Sequence, residues 1–292
     1  MPEIRPYIQL FRPLTLLAPA IGGVFFGLMG IKAAGLSLMN TFPLLILSGI
    51  ILAMANASSN ILNQVFDAEI DLAHPEKRKR PIPSGKVGKE NAMSLAVFLM
   101  VTVIASSLVF FGLTYGLTLT IIMLFAWMYN CSPLRLKTRL FWSNVAIAAP
   151  RGGMGITCAY SAFASPYNPV IYVAIIYFAL YVFGTNTLKD LADEPYDKIC
   201  GVRNFVTVWG KDKASLFIGF FTIIPFMFLL IAMQFVDISM ISMAPLILSG
   251  GIVYFLIQAA DRKSIEGNSI LWVIFYLQFS LMMITFALPF II

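Results

Sequence analysis

Apolar residues in this chain come in long unbroken runs separated by short polar stretches, not in the strict alternation of strands. Each run is about the 20 residues that a helix needs to cross a bilayer. The pattern predicts nine helices, at residues 13–30, 43 into a polar segment past 60, 92–111, just beyond Gly112 to 130, 140–163, 169–188, 214–235, 241–258 and 270–291. Residues 1–12 read as a short interfacial segment with no cleavable leader. Pro150, Pro225 and Pro289 fall inside or near apolar runs, which membrane helices tolerate. Short alternating segments, the mark of a membrane β-barrel, do not occur. The expected fold is an all-α membrane protein, one domain over residues 1–292, with helices around a central cavity.

Charge tests this count. Arg5 and Arg12 precede the first helix. Lys77, Arg78, Lys79, Arg80, Lys86 and Lys89 fall between the second and third, and Arg135, Lys137 and Arg139 between the fourth and fifth. Lys189, Lys198, Arg203, Lys211 and Lys213 fall between the sixth and seventh, and Arg262 and Lys263 between the last two. Two crossings separate each of these segments from the next, so all lie on one side, and nine crossings put the two chain ends on opposite sides. The other side keeps only Lys32, and Arg151 is left inside the fifth helix. The positive-inside rule makes the rich side cytoplasmic, with the N-terminus in and the C-terminus outside a cell membrane crossed many times. The acids gather on the same side, with only Asp237 on the other. Carboxylates do not orient membrane helices, so topology leaves their clustering unexplained.

Composition narrows the chemistry. Apolar residues make up 59% of the chain and charged ones 12%, about half the share in soluble domains. The net charge of +6 is therefore a topology signal, and no nucleic-acid partner is expected. Cys131, Cys158 and Cys200 form no CxxC and read as ordinary small residues. His74 is the only histidine, which argues against a His-ligated metal and a Ser-His triad.

Two acidic motifs remain. Asn63, Asp67 and Asp71 stand four residues apart in NQVFDAEID, one face of a helix, and KRKRPIPSG follows shortly after. Later, KDLADEPYD carries Asp193 and Asp197 four apart, with Asp190 one turn earlier. Sliding the first motif until Asp67 meets Asp193 also brings Asn60 onto Asn186, Asn63 onto Lys189 and Asp71 onto Asp197. Both motifs are expected to close an even-numbered helix, so the chain reads as two four-helix pseudo-repeats plus one helix. Such repeats place a site between the halves.

Carboxylates at a membrane edge are costly and mark a site by default. Crowded together they repel unless cations intervene. Magnesium suits them: it takes oxygen ligands and is often shared between carboxylates and phosphate oxygens. Two acidic clusters suggest two magnesium ions on one diphosphate, with nearby Lys and Arg taking the remaining phosphate charge. An apolar tail would lie in the bilayer part of the cavity, where aromatic faces stabilise a developing cation.

The chain resembles the UbiA superfamily of intramembrane prenyltransferases. The resemblance rests on NQVFDAEID (63–71), KRPIPSG (79–85), YNCSPLRLK (129–137) and KDLADEPYD (189–197), and covers essentially the whole chain. It implies a transferase that moves a geranylgeranyl-like polyprenyl group from its diphosphate to a lipophilic or aromatic quinone-precursor acceptor drawn from membrane lipid. Carried over by position, Asn63, Asp67, Asp71, Asp190, Asp193 and Asp197 would hold two Mg²⁺. Arg80, Lys137 and Lys189 would contact the diphosphate, and Tyr129 would sit near the reacting carbon, with Asp67, Asp71, Asp193 and Asp197 catalytic through the metal. The resemblance also implies a lateral opening for lipid substrates. Archaeal ether-lipid members, which prenylate a glycerol phosphate ether, share the KDxxDxxxD form.

Other readings stand beside this one. Lys77–Arg80 also fits a topology signal or an anionic-lipid contact, Tyr129 an interfacial aromatic, Asn60 and Asn186 helix-end caps, and His74 a plain loop residue. An ion-coupled transporter would use paired acids, but near mid-membrane. A CDP-alcohol phosphotransferase needs a DGxxAR core, which the chain does not contain.

Overall fold

The computed structural model describes residues 4–75, 77–199, 201–261 and 266–292, and every regular element among them is helical. Arg262, Lys263 and Cys200 lie outside the described residues. Cys131 and Cys158 are free and buried.

The chain begins with α1 (Ile4–Phe11), which buries Leu10 and turns Ile4 and Ile8 outward, as an interfacial helix does. A 3₁₀ turn (Pro13–Leu16) leads into α2 (Leu17–Ala33). Next come α3 (Leu38–Ala73) and α4 (Lys89–Asn130). The segment starting in α3 begins at Leu38, before Pro43, and membrane packing tolerates the proline within the second turn. Gly112 breaks α4, at φ 79° and ψ −167°, a conformation essentially closed to residues with a Cβ. The turn expected there is therefore real.

The following apolar stretch is not one regular helix. It runs as α5 (Leu140–Ala148), a π turn over Ala149–Met154 and α6 (Gly155–Ser161). Pro150 has no N–H to give the ladder, and π turns relieve such a break. Arg151 sits in this widened turn.

The helix α7 (Pro169–Thr185) starts at a cap in which Asn168 Oδ1 accepts from the Val170 N–H. It tightens into a 3₁₀ turn over Asn186–Lys189, and α8 (Asp190–Ile199) carries the second acidic motif as a separate short helix. This corrects the expectation that the motif closes the helix before it. At this point Thr185 Oγ1 donates back to Tyr181 O at 2.5 Å, and Thr187 Oγ1 accepts from Asn144 Nδ2 at 2.9 Å. Beyond lie α9 (Phe205–Trp209), α10 (Lys211–Ala232), a turn at Met240–Met243, α11 (Leu246–Asp261) and α12 (Glu266–Ile291).

Six of these helical stretches are long and apolar enough to cross a membrane. Their outer faces carry bare apolar side chains such as Phe98, Val109, Leu113 and Leu216, which suits lipid and not water. Inside, Phe26, Tyr177, Phe178, Phe226 and Phe286 form an edge-to-face cluster.

Close helix contacts rest on small residues, as expected where lipid removes the hydrophobic drive between helices. A Cβ on Gly23 would lie 2.7 Å from Gly49 Cα, tying α2 to α3. A Cβ on Gly152 would lie 2.4 Å from both Cα and N of Ala179, tying the π turn to α7. Backbone cannot yield there as a side-chain tip can. Gly152→Ala should therefore lower the melting temperature of the detergent-solubilised protein by roughly 5 °C. Gly250→Ala, which meets nothing within 4 Å, should leave it unchanged or slightly raised. Equal melting of the two variants would contradict the packing described.

Candidate active site

A single face of α3 supplies the first polar wall. Asn56, Asn60 and Gln64 recur one turn apart, followed by Asn63, Asp67 and Asp71 on the adjoining stripe. The three amides clasp the segment that leads into α2. Gln64 donates to Leu10 O at 2.8 Å, Asn60 to Phe11 O at 3.0 Å and Thr15 Oγ1 at 2.7 Å, and Asn56 to Thr15 O at 3.0 Å. Asn60 is thus a mid-helix brace and not a cap.

Asn63, Asp67, Asp71, Arg80, Tyr129, Lys137, Lys189, Asp190, Asp193 and Asp197 all line one cavity of about 760 Å³. At its other end the walls are apolar: Leu52, Ile122, Met123, Phe275, Phe279 and Met283. Phe275 and Phe279 stack with Tyr181 at centroid distances of 5.8 and 6.2 Å.

Most of the acids are matched by the chain's own cations. Asp67 takes Lys137 Nζ in a short contact, and Arg135 lies 3.7 Å away. Asp71 takes Arg80 at 2.7 Å, and Asp193 takes Lys77 at 2.6 Å. That last pair joins the loop after the first motif to the helix of the second. Asp197 Oδ2 accepts from Asn204 Nδ2 at 2.7 Å. Asp190 is buried, and its Oδ2 has no hydrogen-bond partner.

The second motif bears the greater electrostatic stress. Burial, together with the charges of Asp197 and Asp193, pushes the Asp190 carboxyl up to about 7 against the pull of Lys189. Burial and Asp193 push Asp197 up to about 6. Burial also holds the Lys137 ammonium below its ordinary value, with Asp67 opposing that shift. The raised Asp190 and Asp197 carboxyls mark a place where added positive charge would favour the ionised acids.

The two motifs also meet at one residue pair. Asn63 Nδ2 donates to Asn130 Oδ1 at 3.0 Å, and Lys189 Nζ to Tyr129 OH at 2.8 Å. Positions related by the sequence echo thus reach neighbouring residues at the end of α4. Asn186, the echo of Asn60, is buried with Nδ2 unpaired.

Among the described residues, no three His, Cys, Asp or Glu side chains stand together as a preassembled metal cage. The carboxylates are drawn apart to their cationic partners. The donor set nevertheless suits a hard divalent ion: five aspartates and the amide of Asn63 line one chamber, and Asp190 Oδ2 is buried without a hydrogen-bond partner.

Several contributors are visible only in three dimensions. Lys77 and Arg135 read as topology charges but bind motif acids, while Asn130 accepts from Asn63 and Asn204 donates to Asp197. The pairing of Lys77 could be suspected only from its place in the basic run. His74 is a buried residue rather than a plain loop residue. Its ring packs on Tyr196 at 4.1 Å, its Nδ1 accepts from the Lys77 N–H, and burial and the Lys77 charge lower its basicity.

The model of the UbiA prenyltransferase family matches residues 16–287. The bacteriochlorophyll synthase 33 kDa chain of Cereibacter sphaeroides is 27% identical over 220 residues, 74% of this chain and 70% of that protein. Digeranylgeranylglyceryl phosphate synthase of Thermococcus gammatolerans is 25% identical over 226 residues, 75% of this chain and 74% of that protein. The fold is similar to that of a UbiA homologue from Archaeoglobus fulgidus bound to DMAPP and Mg²⁺, with a TM-score of 0.66, 14% identity and 98% coverage of both chains. With its motifs gathered around one membrane-embedded chamber, the chain belongs to the UbiA family of membrane prenyltransferases.

Proposed function

We propose that this protein transfers a geranylgeranyl-like group from a polyprenyl diphosphate to an aromatic, quinone-precursor acceptor, with Mg²⁺ held by the two acidic motifs. The supporting observation is the cavity itself: Asn63, Asp67 and Asp71 of the first motif and Lys189, Asp190, Asp193 and Asp197 of the second line it together with a set of apolar side chains. A diphosphate and its isoprenoid tail have that same division. The bound DMAPP and Mg²⁺ of the Archaeoglobus fulgidus homologue agree with this reading.

In this reading Asn63, Asp67, Asp71, Asp190, Asp193 and Asp197 hold two Mg²⁺, which supply Lewis-acid neutralisation of the leaving group. Arg80, Lys137 and Lys189 bind phosphate oxygens, exchanging their present partners for the ligand. The allylic carbon–oxygen bond breaks, diphosphate departs with the electron pair, an acceptor carbon or oxygen attacks, and the acceptor loses a proton. Tyr129, fixed by Lys189, stands beside the reacting carbon. Ether-lipid synthesis, with a glycerol phosphate acceptor, is the second reading, and the likeness to digeranylgeranylglyceryl phosphate synthase favours it.

Nine crossings follow when α4 is counted as two spans across Gly112, and the α5–α6 pair and α11 are added to the other long helices. Arranged as two four-helix repeats plus one, they put the basic loops and the site on the cytoplasmic face, with the C-terminus outside. Substrates then enter sideways from lipid.

Asp67→Ala and Asp193→Ala should each cut geranylgeranyl transfer at least a hundredfold while the melting transition persists. Near-normal turnover in either variant would refute the site assignment. Chelation of Mg²⁺ should abolish binding of geranylgeranyl diphosphate, and binding that survives it would count against the metal. For topology, a C-terminal tag should be cleaved by protease added to intact right-side-out vesicles and an N-terminal tag spared; the reverse pattern would overturn the orientation.

A further inference from the structure

Each motif has one side chain held by a buried asparagine from another part of the chain. Asn130 meets Asn63, and Asn204 meets Asp197. Asn130 is 1% exposed and Asn204 2%, so their amides must find partners within the protein. An asparagine oxygen only accepts and its nitrogen only donates, so the partners decide which way the amide is turned.

Backbone groups decide it at both positions. Asn130, the last residue of α4, gives Nδ2 to Ala126 O one turn back, at 2.8 Å. A carbonyl only accepts, so Oδ1 is the atom that Asn130 offers to Asn63. Asn63 must then meet it with Nδ2, at 3.0 Å. That bond takes up the nitrogen and leaves Asn63 Oδ1 without a donor among the described residues.

The second motif is held in the opposite sense. Asn204 caps α9: its Oδ1 accepts from the Thr207 N–H at 2.8 Å, and Thr207 Oγ1 accepts from the Asn204 N–H at 3.0 Å. An N–H only donates, so Asn204 Nδ2 is the atom left for Asp197, whose Oδ2 accepts it at 2.7 Å. Thr207 Oγ1 also donates to Val202 O at 2.9 Å, and the Val202 N–H donates to Asp197 O at 2.9 Å. The contacts among Asp197, Asn204, Thr207 and Val202 therefore close into a ring. One carboxylate oxygen is committed to the amide, and Oδ1 is left for a cation.

We propose that Asn130 and Asn204 are positioning residues, one for each motif, that present Asn63 Oδ1 and Asp197 Oδ1 to a divalent ion. The inference rests on the metal reading of the motifs above. Partners of this kind orient a metal ligand and raise affinity without touching the ion. At Asn63 the sense of the amide decides the outcome, because a flipped side chain would offer N–H groups, which cannot ligate a cation. At Asp197 either oxygen can ligate, and the amide fixes the plane of the carboxylate instead.

The test follows the melting temperature of the full-length protein with geranylgeranyl diphosphate while Mg²⁺ is raised, and reads the Mg²⁺ concentration at half the rise. Asn204→Ser keeps a capping side chain but is too short to reach Asp197. Its metal-free melting temperature should stay within a few degrees of wild type, while the half-point rises roughly tenfold or more. Asn130→Leu, of similar size, removes the acceptor that orients Asn63 and should raise the half-point by a similar factor. A half-point equal to wild type in either folded variant would overturn the proposal, even where the metal-free melting temperature falls, because that result describes packing alone. Asn204→Ser decides the matter if Asn130→Leu does not fold. A wild type whose melting temperature does not respond to Mg²⁺ in the presence of geranylgeranyl diphosphate rejects the metal reading itself.

Discussion

The structure depends on how carboxylates are compensated at the edge of a membrane. Asp71 and Asp190 are almost wholly buried, and both motifs open onto one chamber. Left alone, such charges would neutralise or force the helices apart. Cations from three connecting segments oppose this: Lys77 and Arg80 after α3, Lys137 after α4, and Lys189 before α8. The Lys77–Asp193 pair matters most for architecture, because it links the two motif regions directly. The Asp67–Lys137 and Asp71–Arg80 pairs hold the polar mouth around the first motif.

Packing below the mouth keeps the chamber open to one shape. Glycines bring α2 against α3 and the π turn against α7, while stacked Tyr181, Phe275 and Phe279 wall the apolar end. A regular helix through Pro150 would place Arg151 differently, so the break in the ladder is part of the site. The amide ladder on α3 serves the same end: it turns a short interfacial segment into a fixed wall that carries Arg12.

Much of this was legible in the sequence because its signals are local. Apolar run length marks membrane helices, Gly112 marks a turn, and four-residue spacing puts Asn63, Asp67 and Asp71 on one face. The echo between the motifs predicted a common site, and both reach the end of α4 through Asn63–Asn130 and Lys189–Tyr129. What escaped depends on three dimensions or on small backbone choices. The 3₁₀ turn before α8 coincides with the Thr185 hydroxyl bonding back to Tyr181 O, a contact that helix periodicity does not register. The π turn follows from Pro150 combined with close packing at Gly152. Lys77 and Arg135 looked like topology charges because a cation's partner lies elsewhere in the chain, and the positive-inside rule accounts for it without one.

The same pairing gives the site a built-in competition. In the proposed reading a divalent ion at Asp67 or Asp193 would compete for the carboxylate with Lys137 or Lys77, and an ammonium so displaced needs a new anion. A diphosphate arriving with its metal provides both halves of the exchange: metal for the acids, phosphate oxygens for the cations. Either component alone satisfies only one side and leaves buried charge uncompensated on the other. Metal and diphosphate should therefore bind with strong mutual dependence.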